Sequence, residues 1–152
     1  MKPNNVEIEK KFLVRGDFYS YAIRKEWIVQ AYLMISSQKN IRVRIKNMSA
    51  FLTIKGTNTF NRFSRYEYEY PLPLKEAEEL FSLCLPGKIE KKRFYVPYNS
   101  HIFEVDVFYG KNKGLIVAEL ELSCENEIFE YPCWLGEEVT GNPKYYNVNL
   151  IK

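Results

Sequence analysis

Along the chain, runs of alternating apolar and polar residues carry pairs of like charges at their polar positions, and few folds accommodate that pattern. The first run sets Val6, Ile8, Phe12 and Val14 on one face and Glu7, Glu9 and Lys11 on the other. Period-2 alternation of this kind marks a strand whose two faces meet different surroundings. Further acidic pairs are Glu67/Glu69, Glu104/Asp106 and Glu119/Glu121; the basic pairs are Arg42/Arg44 and Lys91/Arg93, joined singly by Lys11, Lys55 and Arg65. Side chains two apart on a strand share a face at a spacing of ~7 Å. Like charges that close repel, and more strongly in a cavity than in bulk water. A merely solvated face would mix its charges with Ser, Thr and Gln. The clustering makes sense if counter-charges are held there, a hard cation by the carboxylates and an oxyanion by the basic groups.

The same alternation predicts strands over residues 6–14, 27–35, 40–46, 50–55, 63–70, 88–97, 102–109 and 115–123. Turn-formers separate several of them: Ser36-Ser37, Gly56, Tyr98 to Ser100, and Gly110 to Gly114. One helix is expected where Ala77, Leu80, Phe81 and Cys84 fall at helical spacing after Pro73, with Pro86-Gly87 as its stop. A short C-terminal helix is expected from Asn142-Pro143, asparagine capping and proline in the first turn. Eight strands and few helices predict a mainly β (α+β) fold, an eight-stranded antiparallel barrel with a few peripheral helices. Closure removes the exposed edges an open sheet would leave. No linker or repeat divides the chain, so residues 1–152 are expected to form a single domain.

A net charge of +3 is too small for a bulk nucleic-acid binder. The three cysteines, Cys84, Cys124 and Cys133, have no zinc-like spacing and suit a reducing compartment. The first seven residues lack the apolar core of a signal peptide, and the uncharged run from Trp27 to Gln38 is short for a membrane span. A cytoplasmic protein that binds neither membrane nor nucleic acid is the expectation. With the only histidine, His101, outside the charged pairs, an all-oxygen site favours Mg²⁺ or Mn²⁺. Arginine forks match phosphate oxygens, and lysine adds compact charge.

The chain resembles a known family, the CYTH domains or triphosphate tunnel metalloenzymes. Their N-terminal Glu-x-Glu-x-Lys is matched by Glu7, Glu9 and Lys11. The other parts follow in order: Arg42-Val-Arg44, Thr53-Ile-Lys55, Arg65-Tyr-Glu67-Tyr-Glu69, Glu90-Lys91-Lys-Arg93, Glu104-Val-Asp106, Glu119-Leu-Glu121 and the run from Trp134 to Gly141, continuing to Asn147. Two departures are Lys10, beside the motif lysine, and Lys144, where similar short proteins often carry arginine. The resemblance implies an eight-stranded tunnel with the charged face inward. Lys11, Arg42, Arg44, Lys55, Arg65, Lys91 and Arg93 would hold a triphosphate. Glu7, Glu9, Glu69, Asp106, Glu119 and Glu121 would carry one or two divalent ions with Glu67 in support, while Glu104 could equally brace an arginine. Tyr32 matches a tyrosine that pairs, in some hydrolytic members, with the lysine matched by Lys55, which makes these two the candidates for proton handling.

The activity expected is metal-dependent hydrolysis of inorganic triphosphate. Nucleoside or thiamine triphosphatase, class IV-type adenylate cyclase and a non-catalytic polyphosphate- or nucleotide-binding module are the alternatives. A single-strand binder using the tyrosines would need its aromatic platform on the basic face, and here the two alternate apart. A homodimer is compatible with the chain, but no motif marks one. Trp27 and Trp134 are read as packing residues, and Tyr66, Tyr68 and Tyr70 as an outward stripe beneath a helix. Cys84 is read as a helix core residue, with Lys111, Lys113 and His101 in solvated loops.

Overall fold

A computed structural model describes residues 5–57 and 64–152. The strands are β1 (Val6–Val14), β2 (Arg24–Ile35), β3 (Lys39–Lys46), β4 (Ser49–Thr57), β5 (Ser64–Leu72), β6 (Ile89–Tyr98), β7 (His101–Phe108), β8 (Ile116–Glu121) and β9 (Leu135–Glu138). All pair antiparallel in the order β5-β4-β3-β2-β6-β7-β8-β1-β9, and a further β5–β1 pairing closes the first eight into a barrel. The expected barrel is therefore present, with one short strand that the alternation did not reveal. β8 pairs with β1 over Glu9–Leu13, whereas β5 takes Val6–Ile8 and β9 takes Phe12 and Val14. Residue 63, the expected start of the fifth strand, lies outside the described residues. Asn47 and Asn99 adopt positive φ in the turns between β3 and β4 and between β6 and β7, as tight hairpins require.

An eight-stranded barrel has an interior just wide enough for side chains or one small ligand. Here the apolar side of the strands faces outward and is covered from outside. Val6, Ile8, Phe12 and Val105 pack with Phe18, Phe103, Trp134 and Leu135 in the largest core cluster, all buried. α1 (Leu74–Phe81) closes a second cluster, setting Ala77 against Val43 and Ala50. It starts directly after Pro73, as expected, but ends at Phe81, before the expected stop at Pro86-Gly87, so Cys84 falls in the turn after it, half-buried against the same cluster. One expectation is corrected. Tyr66, Tyr68 and Tyr70 do face outward, but they are 45%, 39% and 51% exposed, and α1 lies over β2, β3 and β4 instead. The apolar outer face of those strands needs cover, whereas a tyrosine face tolerates water through its hydroxyls.

A third cluster sits inside one end of the barrel. Tyr32, Ile89, Phe108 and Val117 meet Leu150 and Ile151 from the C-terminal segment, which carries α2 (Asn147–Leu150). That segment is tied down by Asn112, whose side-chain amide donates to the Leu150 carbonyl (2.7 Å), and by Lys111, which donates to the Ile151 carbonyl (3.0 Å). The expected helix from Asn142 is a single 3₁₀ turn, Pro143–Tyr145, with the Asn142 side chain accepting from the Lys144 N–H at 3.1 Å. Apolar packing thus closes one end of the lumen.

Candidate active site in the barrel lumen

The lumen holds a cavity of about 160 Å³, and every residue lining it is charged except Asn147. Glu7, Glu9, Glu67, Glu69, Glu104, Glu119 and Glu121 supply carboxylates, and Arg42, Arg44, Lys46, Lys55 and Arg93 supply cations. Alternation puts them there: on each strand the residues between them face the outer clusters. Lys11 points inward, where its ammonium donates to the Tyr145 carbonyl at 3.2 Å and approaches Glu119 at 3.9 Å. Lys10 points outward over the Phe129 ring. Of the motif's two adjacent lysines, Lys11 belongs to the lumen.

Several charges satisfy one another. Asp106, almost wholly buried, accepts from Arg93 Nε (2.7 Å) and Nη2 (2.9 Å) and from Lys91 Nζ (2.7 Å). Burial opposes the Arg93 charge, but the Asp106 and Glu104 carboxylates overcome it and hold the guanidinium well above its ordinary range. Desolvation pulls the Lys91 ammonium down to about 7 against the opposing pull of Asp106. Lys55 lies 3.1 Å from Glu7 and 3.3 Å from Glu67. Burial works against its charge, yet Glu7 and Glu9 raise it above the usual lysine value. Burial likewise works against ionised Glu119, but Lys11, Arg93 and Lys91 hold it well below the carboxylate range. Lys91, Lys11, Arg65 and Tyr32 do not line the cavity. Tyr32 sits in the apolar end cluster, and no hydrogen bond joins its hydroxyl to Lys55 among the described residues.

Two cations stand apart. Arg42 and Arg44 are 4% and 7% exposed, and neither has a carboxylate within salt-bridge distance among the described residues. Neutral groups hold them: Arg42 Nη2 donates to the Thr53 hydroxyl at 3.3 Å, and Arg44 Nε to the Gln30 amide oxygen at 2.8 Å. Burial, then the nearby charges of Arg42 and Arg93, lower Arg44 to about 9. By strand order, β3 with these arginines stands four strands from β8, directly across the barrel. β8 carries Glu119 and Glu121, and neighbouring β1 carries Glu9. Burial, then the charges of Glu119 and Glu7, push the Glu9 carboxyl well above its usual range. Among the described residues, Arg42 and Arg44 therefore lack carboxylate partners and, across the lumen, Glu9 lacks a cation within salt-bridge distance. A polyanion on β3 and a cation on β1 and β8 would answer both deficits.

The comparisons with known proteins agree with this geometry. A family model described as the CYTH domain matches residues 5–151. The chain belongs to the CYTH-domain family. An inorganic triphosphatase of Acetivibrio thermocellus is 46% identical over 147 residues, covering 96% of this chain and 93% of its own. Another from Nitrosomonas europaea is 32% identical over 153 residues, covering 95% of both chains. A solved structure of an inorganic triphosphatase superimposes with a TM-score of 0.71 at 29% identity, covering 99% of this chain and 95% of that one.

Membership in the CYTH family implies a divalent metal, and the lumen of this CYTH domain can be tested for one. Among the described residues, no three carboxylates converge into a ready-made metal cage. A divalent ion bound together with a phosphate substrate needs only one or two protein carboxylates, since phosphate oxygens and waters complete its shell. Glu9 and Glu121 face each other in register across the β1–β8 pairing, with Glu119 two residues away on β8. Residue type alone did not reveal Gln30, Thr53, Lys46, Glu26 or Asn147. Gln30, Thr53 and Glu26 stand at lumen-facing positions, and Lys46 extends Arg42/Arg44 by one more step, so the alternation carried a signal for all four. Asn147 reaches Lys91 at 3.5 Å only because α2 docks into the barrel end.

Proposed function

We propose that this CYTH domain hydrolyses inorganic triphosphate to pyrophosphate and phosphate, using Mg²⁺ or Mn²⁺. The observation that carries the reading is the pair of buried arginines, without carboxylate partners among the described residues, that face carboxylates across the lumen. The names of the relatives point to the same chemistry. Arg42, Arg44 and Arg93 would bind the phosphoryl oxygens, and Lys55, kept charged by Glu7 and Glu67, would add a point charge beside them. A divalent ion, when bound by Glu9, Glu119 and Glu121, supplies charge neutralisation and a more acidic water. The protein's own part is to neutralise the chain so that water can reach the terminal phosphorus and the bridging P–O bond can break toward pyrophosphate. Tyr32 and Lys55 can share a proton only once Lys55 leaves Glu7 and Glu67, so in the resting arrangement Lys55 is a phosphate-binding cation. Near-complete lining by charged groups favours a bare triphosphate over a nucleotide or thiamine ester, whose organic part finds few neutral partners here.

The test is phosphate release from tripolyphosphate, ATP, GTP and thiamine triphosphate with each ion. The highest kcat/KM is expected for tripolyphosphate. Cyclic AMP and pyrophosphate as the main products from ATP, formed faster than tripolyphosphate is cleaved, would overturn the reading.

A further inference from the structure

Gln30 occupies a lumen-facing position on β2, opposite Arg44 on β3 and Ile89 on β6, and is wholly buried. Its amide oxygen accepts from Arg44 Nε at 2.8 Å. That orientation is chemically forced, because a guanidinium offers only donors and a flipped amide would set donor against donor. The amide nitrogen is consequently turned away, and no partner meets it among the described residues. The Nε–H of Arg42, at the neighbouring step of β3, is also buried without a partner. Buried N–H donors are normally paired, and leaving one unpaired is costly. Here two occur on paired strands, beside a Thr53 hydroxyl that already accepts from Arg42 Nη2.

We propose that Gln30 is a phosphate-positioning residue. It fixes the Arg44 guanidinium edge-on so that its two terminal nitrogens face the cavity. It leaves the charges of Arg42 and Arg44 uncancelled beside the cavity that both arginines line. A neutral amide suits this task where a carboxylate would not. Glutamate would hold Arg44 equally well but would cancel the charge that the polyanion needs. The inference rests on the triphosphate reading and names a residue for that same site.

The experiment compares wild type, Gln30→Met, Gln30→Glu, Arg44→Lys and the Gln30→Met/Arg44→Lys double variant. Readouts are KM and kcat on tripolyphosphate, and metal-free tripolyphosphate binding by calorimetry. Gln30→Met should weaken binding and raise KM about ten- to hundredfold, the usual effect of losing a hydrogen bond to a charged group. Gln30→Glu, close to isosteric, should raise KM at least as much, and it serves as the folded variant if the methionine protein does not fold. The double variant should be little worse than Arg44→Lys alone, since both changes act through one guanidinium. Wild-type KM and binding in Gln30→Met or Gln30→Glu, beside an impaired Arg44→Lys, would overturn this inference and leave the triphosphate reading standing. Failure of the wild type itself to bind or cleave tripolyphosphate would overturn that reading instead.

Discussion

Glu9→Gln should stabilise the metal-free protein while nearly abolishing its activity. Glu9 lies in register with Glu121 across the β1–β8 pairing and two residues from Glu7, and no cation stands within salt-bridge distance of it among the described residues. It is half-buried, reached by water from the lumen, so the repulsion it feels is screened. At an effective dielectric of ~20–40, carboxylates ~7 Å apart repel by ~1–2 kcal/mol. With Glu7 and Glu119 both contributing and Lys55 and Lys11 offsetting part, removing the charge should gain ~1–3 kcal/mol. For a chain of this size that corresponds to a rise in Tm of roughly 3–10 °C by thermal unfolding. The pH dependence follows from the direction of the shift. A carboxyl whose folded pKa exceeds its unfolded value costs stability as pH rises from the unfolded value, and the cost is complete once the folded state ionises. The Tm gap between variant and wild type should therefore open as pH rises from about 4.5 through the raised folded value, and close below it. Added Mg²⁺ should narrow the gap, because it stabilises the wild type more than the variant. A variant that melts at or below the wild-type temperature in chelator at neutral pH would refute the reasoning.

Arg42→Met removes a buried cation with no carboxylate partner among the described residues, so KM for tripolyphosphate should rise ~10–100-fold while Tm in chelator stays level or increases; a marked drop in Tm with unchanged KM would assign Arg42 to the fold. Lys91 in the folded protein titrates near 7 against an ordinary value of 10.5. Between those values the unfolded chain binds a proton that the folded one does not, so this residue makes stability rise with pH over that window. Lys91→Met should flatten the rise in denaturant melts taken between pH 7 and 10. Gly87, before β6, has φ +91°, and an added Cβ would collide with the Ile151 carbonyl. Gly87→Ala should therefore lose ~1–3 kcal/mol and several degrees of Tm, and loosen the C-terminal segment as seen by hydrogen exchange at residues 147–151.

Much of the architecture was legible because a closed barrel writes its two faces into a period of two. The period put Glu7, Glu9, Arg42, Arg44, Lys55 and Glu119 on one face, and the clustering of like charges with the family resemblance turned that face inward. β9 was not legible, since four residues with a glycine in second place show no alternation and form a strand only by taking the free end of β1. The tyrosine stripe was misjudged because alternation tells which face a residue takes, not what covers it. How the charges divide was also beyond the sequence. The two arginines on β3 look like Lys91 and Arg93 in type and spacing, yet Asp106 claims the latter two, while Gln30 and Thr53 leave Arg42 and Arg44 available. That division depends on cross-strand register, which residue type does not encode.

The central claim is that phosphate lies on the β3 arginines and the metal on the facing carboxylates. Crystals grown with tripolyphosphate and Mn²⁺ test it most directly, since the manganese anomalous signal locates the ion without reference to the fold. The account expects the peak inside the lumen within coordinating distance of Glu9, Glu119 or Glu121, with phosphoryl oxygens on Arg42 and Arg44. Manganese and tripolyphosphate bound outside the barrel, with Arg42 and Arg44 untouched, would contradict it.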